Sequence, residues 1–280
     1  MIHVVLAALC SVLVSVLLKL APRLRFGVGQ AVAWNYVATT ALTLLILQPP
    51  PASLRDPALP WPALIALGVL LPTIFLALAA SVRHAGIVRS DAAMRLSLLI
   101  PLLAAFTLFG EAPSPMKLAG CALGLVALGC MIARRSAAAS AAPPLWRYPL
   151  LVFLGFGVID VLFKRVAAAG VALGTALAVT FALALLVAFL IELMRRQPFN
   201  ARSAGAGLLL GLCNFGNILF YLRAHRALPD SPSLVFASMN LGVVALGALV
   251  GVLAFRERLG RAGSLGVALA LVAILMLTRA

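Results

Sequence analysis

Apolar residues in this chain gather into long runs, broken at almost regular intervals by charges, prolines and glycines. Marked off by those boundaries, the runs predict ten helices at 2–20, 29–47, 62–82, 87–109, 116–134, 148–168, 171–193, 204–225, 231–254 and 261–279. Each is close to the roughly 20 residues that a helix needs to cross a bilayer. The longest connections are the Pro-rich stretch from Gln48 to Pro62 and the Ala/Ser/Pro-rich stretch from Ser136 to Pro144. The second lies at the midpoint and divides the chain into 1–135, a linker at 136–147, and 148–280.

Polar residues inside these runs keep to helical faces. Ser11, Ser15 and Lys19 are spaced by four, as are Asn35, Thr39 and Thr43. Gly207, Gly211, Asn214, Asn217 and Tyr221 form a stripe in the eighth segment, and Asn240 shares a face with Gly247 and Gly251 in the ninth. In a bilayer such residues turn toward the bundle or a wet cavity. They also bond across helices, and small residues let backbones pack closely. The pairs Gly120–Gly124 and Gly170–Gly174 are assigned to packing. Packing is also the simpler account of the Ser and Thr positions alone. Asn214, Asn217 and Tyr221 together exceed what one helix contact needs, so that stripe is assigned to a pocket.

Asp160 and Lys164 stand four residues apart with the acid first, the favourable order for an ion pair on a helix. They form either a self-neutralised pair or a proton or substrate relay. Asp91 and Arg95 repeat the spacing, and the guanidinium of Arg95 suits a carboxylate or phosphate on a substrate as well as it suits Asp91. Glu111 and Glu257 end their segments beside basic residues and are expected to tether loops. His3 and His84 are read as interfacial, and His225 as part of a basic run.

Composition settles the class. Of 280 residues, 64% are hydrophobic and 10% charged, with a mean hydropathy of +1.14; a soluble domain carries about 45–50% apolar and about 25% charged residues. A water-soluble globule is excluded. The net charge of +15 sits at the ends of apolar segments, where it faces headgroups, so nucleic acid is not an expected partner. The four cysteines, Cys10, Cys121, Cys130 and Cys213, lie in apolar runs without metal-ligand spacing, and no metal or cofactor is expected. No G-x-x-x-x-G-K loop is present to drive the chain by ATP. The first segment lacks a basic n-region and reads as a retained helix.

An internal repeat runs through the chain. Glu111 and Gly120 match Glu257 and Gly266, Ser15 and Lys19 match Asp160 and Lys164, and Asn35–Tyr36 matches Thr180–Phe181, all at offsets of 145 or 146 residues. A unit of five crossings is odd, so its second copy is inverted. The predicted fold is an all-α membrane protein with ten transmembrane helices as two inverted five-helix repeats. The run from Arg89 through Arg95, Pro101 and Phe109-Gly110-Glu111 to Gly120, with its second copy around Glu257 and Gly266, resembles EamA-type proteins of the drug/metabolite transporter superfamily. The resemblance implies a ten-helix carrier, often an exporter of amino acids or other small metabolites in the bacterial inner membrane. Gly247 stands where a second copy of Pro101 would fall. The first segment offers Ser15 where small four-helix multidrug relatives carry a glutamate.

The expected function is a secondary transporter exporting a small polar metabolite by alternating access. The candidate binding residues are Ser15, Lys19, Asn35, Thr39, Arg95, Asn214, Asn217, Tyr221 and Asn240, with Asp160 and Lys164 for proton coupling. The expected partners are a small-molecule substrate and the lipid bilayer, with the chain a monomer or a homodimer. A flippase for a lipid or lipid-linked substrate is the alternative; an embedded enzyme would need a cluster of acids, His or Cys that the scattered acids do not supply. Lys and Arg are denser on the sides reached after odd-numbered segments, which places both termini outside by the positive-inside rule, whereas the resemblance implies cytoplasmic termini.

Overall fold

The computed structural model describes residues 1–85, 87–133, 146–196, 198–255 and 261–280. Helix predominates among the described residues, which include no strand. The helices are α1 (Ile2–Leu24), α2 (Val28–Leu42, continued by a π-helical turn at Thr43–Leu47), α3 (Trp61–Ala85), α4 (Ile87–Leu96), α5 (Leu99–Thr107), α6 (Pro115–Ala133), α7 (Arg147–Ala168), α8 (Leu173–Arg195), α9 (Ala201–Ala227), α10 (Pro232–Phe255) and α11 (Arg261–Thr278). A 3-10 turn at Pro51–Arg55 sits in the connection before α3.

All ten predicted runs are helical, and the fourth is in two pieces. Pro101 has no N–H to give to the Ser97 carbonyl one turn back, and its ring crowds that carbonyl. The Ile100 amide bonds to Ser97 instead, at 3.0 Å, and the Ser97 hydroxyl donates to the Met94 carbonyl at 2.6 Å. The helix therefore breaks at Ser97–Leu98. Among the described residues, five stretches are long and apolar enough to cross a membrane: Val28–Leu47, Trp61–Ala85, Leu173–Arg195, Ala201–Ala227 and Pro232–Leu253. Shorter apolar helices lie at Ile2–Leu18, Ala92–Thr107, Pro115–Cys130 and Ser264–Thr278. The chain is an integral membrane protein.

Contacts gather into two compact units: Met1–Leu76 with Leu162–Ala227, and Ala77–Val161 with Leu228–Ala280. Each draws helices from both halves of the sequence. In the first unit α9 packs against α1 and α2, and α2 packs against α8. Glycines set the closest approach. A Cβ on Gly207 would lie 2.5 Å from the Ala31 carbonyl oxygen, and one on Gly211 would lie 2.5 Å from Ala38 Cβ and 2.6 Å from the Asn35 carbonyl oxygen. Contacts thus advance in the same order along both helices, so α2 and α9 run parallel. The Gly207–Gly211 part of the predicted polar stripe is a backbone seam that buries α2 against α9. Between α1 and α9 the order reverses, with His3 stacked on Phe220 at 6.2 Å and Cys10 Sγ 2.9 Å from where a Gly216 Cβ would stand.

In the second unit α6 packs on α11, α10 on α5 and α11, and α4 on α6. Gly120 and Gly124 are packing positions: added methyl groups would stand 2.9 Å from Leu277 Cγ and 3.0 Å from Leu241 Cδ1. Gly174 is close to Leu47, but Gly170 adopts φ +73 with open space around it, so it serves the turn into α8 and not a helix contact. Residues 136–145 of the predicted linker lie outside the described residues.

Candidate functional site

Helix α2 carries a dense group of polar atoms inside an apolar span. Asn35 is 1% exposed and Tyr36 is fully buried. Neither amide atom of Asn35, nor the Tyr36 hydroxyl, nor Thr40 Oγ1 has a hydrogen-bond partner among the described residues. Thr39 and Thr43 behave differently. Their hydroxyls donate to the Tyr36 and Thr39 carbonyls at 3.3 and 2.7 Å, satisfied within their own helix as such residues commonly are in mid-helix.

Helix α9 continues past its glycine seam with Asn214, which is 9% exposed, and Asn217, whose side-chain oxygen is buried without a partner among the described residues. One turn further, the Tyr221 ring packs edge-on to Phe163 at 6.2 Å and to His225 at 4.7 Å. Lys164 and His225 are buried and lie within electrostatic reach of one another. The first unit therefore holds Asn35, Thr39, Asn214, Asn217, Tyr221 and Lys164 from the predicted set, joined by Tyr36, Thr40 and His225. Ser15 is exposed and donates to the Ser11 carbonyl at 3.1 Å. The side chains of Lys19 and Asp91 lie outside the described residues.

The second unit holds the rest. Arg95 is half-buried at the end of α4, and Asp160 is half-buried on α7. Asn240 is half-buried, its amide donating to the Phe236 carbonyl at 3.1 Å. The chief polar feature here is Glu111, which is 4% exposed. Gly110, at φ +67, turns the chain so that this carboxylate meets the start of α10. Glu111 Oε2 accepts from the Ser233 amide at 2.7 Å, and Oε1 accepts from the Ser233 hydroxyl at 2.7 Å. Lys117 Nζ stands 3.1 Å from Oε1. The expected loop tether is thus a cap on the N-terminus of α10. Glu257 lies outside the described residues.

Residues 1–133 match the EamA-like transporter family. An uncharacterized protein of Haemophilus influenzae (strain ATCC 51907 / DSM 11121 / KW20 / Rd) is 40% identical over 281 residues, covering 98% of this chain and 97% of that protein. The chain belongs to the EamA-like transporter family. Among solved crystal structures, a protein 20% identical in sequence superposes over 99% of this chain and 96% of its own, with a TM-score of 0.74. At that identity the likeness establishes the helical fold alone.

Two buried groups of this chain were not among the expected site residues. His225 extends the Asn214–Asn217–Tyr221 stripe by one more turn, yet its neighbours Arg223 and Arg226 made it look like part of a charged end. In the structure Arg226 turns away and donates to the Val171 carbonyl, leaving His225 inside. Glu192 is 6% exposed and pairs with Arg195 at 3.1 Å; the signal was an acid in the last turn of an apolar run with a base three residues later.

Proposed function

We propose that this protein is a secondary transporter that exports a small polar metabolite, such as an amino acid, across the bacterial inner membrane by alternating access. The observation that carries the proposal is the set of unpartnered polar atoms on Asn35, Tyr36, Thr40 and Asn217. Each buried polar group left without a hydrogen bond costs about 1–3 kcal/mol, and a passing ligand or its water can meet that need. Thr39, Asn214 and Tyr221 complete the proposed lining from the same two helices, with Lys164 favouring a ligand that carries a carboxylate or phosphate. In the second unit, Arg95 is proposed separately as an anion contact, and Asp160 as the proton-coupling group.

The packing supports two inverted repeats. Sequence matching pairs the second segment with the seventh, and α2 and α8 do pack together. Gly29 lies by Glu192 and Arg195, whereas Gly174 lies by Leu47, so these two helices run in opposite directions. Two further matched pairs, α5 with α10 and α6 with α11, also pack on each other within the second unit.

Proteoliposomes loaded with labelled amino acids and small organic anions provide the test. Counterflow by the wild-type protein is expected for at least one compound, and Asn35→Ala should reduce it at least tenfold while the protein still inserts. Asp160→Asn should abolish net transport while the protein still inserts. Undiminished counterflow by Asn35→Ala would remove the site from α2.

A further inference from the structure

At the end of the first unit where α2 begins, α8 ends and α9 begins, a cleft of about 290 Å³ is lined by Gly29, Gln30, Glu192, Arg195, Asn200 and Ser203, among others. Its floor is held in place. Gln30 Nε2 donates to the Pro198 carbonyl at 2.7 Å, and its Oε1 accepts from the Asn200 amide at 3.0 Å. Ser203 Oγ accepts from the Gly27 amide at 2.9 Å.

Charges of both signs face this space. Glu192 has a side chain 6% exposed, and its Oε1 lies 3.1 Å from Arg195 Nη1, while Arg195 itself is 43% exposed. Arg195 meets Glu192 through Oε1 alone, and Glu192 itself lines the cleft. Gly29 makes room for the pair, since a Cβ there would lie 2.5 Å from Oε1 and 2.8 Å from Nη1. The first-turn amides of α2 have no carbonyl one turn back to bond. Arg23, Arg25, Arg196 and Arg202 are exposed around the same helix ends. The site therefore offers an acceptor for an ammonium group beside donors for an anion.

The surroundings identify which zwitterion. Phe199, half exposed between Pro198 and Asn200, stacks on Phe189 at 6.1 Å, and Phe189 meets Trp34 edge-on at 5.9 Å. This aromatic column runs from the loop into the apolar span, as rings do at a bilayer's headgroup level. Leu193 and Met194 beside it are 60% and 83% exposed, suited to acyl chains. We propose that the cleft binds the headgroup of an ethanolamine phospholipid, with the ammonium on Glu192 Oε2 and the phosphate on Arg195 and the α2 amides. A choline headgroup has no N–H to give the carboxylate, and a glycerol headgroup has no cation.

The test needs no transport assay, so its failure is separate from that of the carrier reading. The purified full-length protein is equilibrated with equal amounts of phosphatidylethanolamine, phosphatidylcholine and phosphatidylglycerol of matched chains, and retained lipid is weighed by native mass spectrometry. Retention of the ethanolamine lipid is expected at about tenfold over the others, the effect of one charge-assisted hydrogen bond. Glu192→Gln should erase the preference. Gly29→Ala, which displaces the same pair, should also erase it and serves if the first variant does not fold. Equal retention, a lead by phosphatidylglycerol, or a preference surviving in Gly29→Ala overturns the proposal. So does binding of soluble phosphoethanolamine with no preference among lipids, which would assign the cleft to a free zwitterion.

Discussion

Removing the Glu111 carboxylate should destabilise the second unit more than any other single polar substitution at a helix end. In the native protein that carboxylate receives the Ser233 amide, the Ser233 hydroxyl and the Lys117 ammonium, at 2.7, 2.7 and 3.1 Å. Its side chain has no exposed surface and that of Lys117 is only 14% exposed, so water cannot readily replace the lost acceptor. Glu111→Ala leaves two donors and one ammonium unpaired at the start of α10. Breaking a buried charge pair costs about 3–5 kcal/mol, and the uncapped α10 terminus adds about 0.5–2 kcal/mol. Because these groups share one carboxylate, the losses do not simply add, and about 4 kcal/mol is expected. Glu111→Gln should cost roughly half as much, because its amide oxygen still accepts while its NH2 faces donors. Unfolding of the purified protein in mixed micelles, titrated with denaturing detergent and followed by circular dichroism, measures both. A Glu111→Ala variant within about 1 kcal/mol of wild type would refute the buried charge pair as a source of stability.

Further tests address the first unit. Gly211→Ala places a methyl group 2.5 Å from Ala38 Cβ and 2.6 Å from the Asn35 carbonyl oxygen, so α2 and α9 must separate at a cost of about 1–3 kcal/mol. Gly205→Ala, on the same helix with open space around it, should leave stability unchanged or raise it by up to about 1 kcal/mol; equal loss in both would disprove the seam. Tyr221→Leu removes ring contacts to Phe163 and His225 and should cost about 1–3 kcal/mol in the same unfolding assay. Ser53→Ala breaks the 2.6 Å hydroxyl pair with Thr175 at an exposed connection, where a loss of about 1 kcal/mol or less is expected.

The helices were legible because crossing hydrocarbon requires long apolar runs, and charges or prolines cannot be hidden within them. The break at Ser97–Leu98 was equally present in the chain, as Pro101, but an apolar run of the right length masked it. Side-chain partners were less legible. The spacing of Asn214, Asn217 and Tyr221 marked one face of α9, yet nothing local indicated that Gly207 and Gly211 on that face would seat α2. Period alone cannot separate a packing seam from a pocket wall, since both want small or polar residues at four-residue steps. Glu111 was expected to tether a loop, and its partner Ser233 lies 122 residues away, beyond any local pattern.

The buried polar groups follow a physical division. Among the described residues, Glu111 and Glu192 are the buried acids, and both stand at helix ends, against the first turns of α10 and α2. There the positive end of a neighbouring helix and a basic side chain offset the cost of burying a charge. The unpartnered atoms of Asn35, Tyr36 and Thr40 are neutral and lie inside α2. A bare ion in that position would cost several kcal/mol, against about 1–3 kcal/mol for a neutral group. The proposed transport site is empty at some stage of its cycle, so on α2 neutral groups that tolerate being unpaired suit it better than charges do. Replacing Asn35 by Asp preserves shape and adds the charge, and it separates the two demands. If the neutral-site principle holds, Asn35→Asp should slow the return of the empty carrier far more than it weakens binding. Exchange of labelled substrate at saturating concentration on both sides would then persist while net efflux falls, and an equal loss of both would refute it.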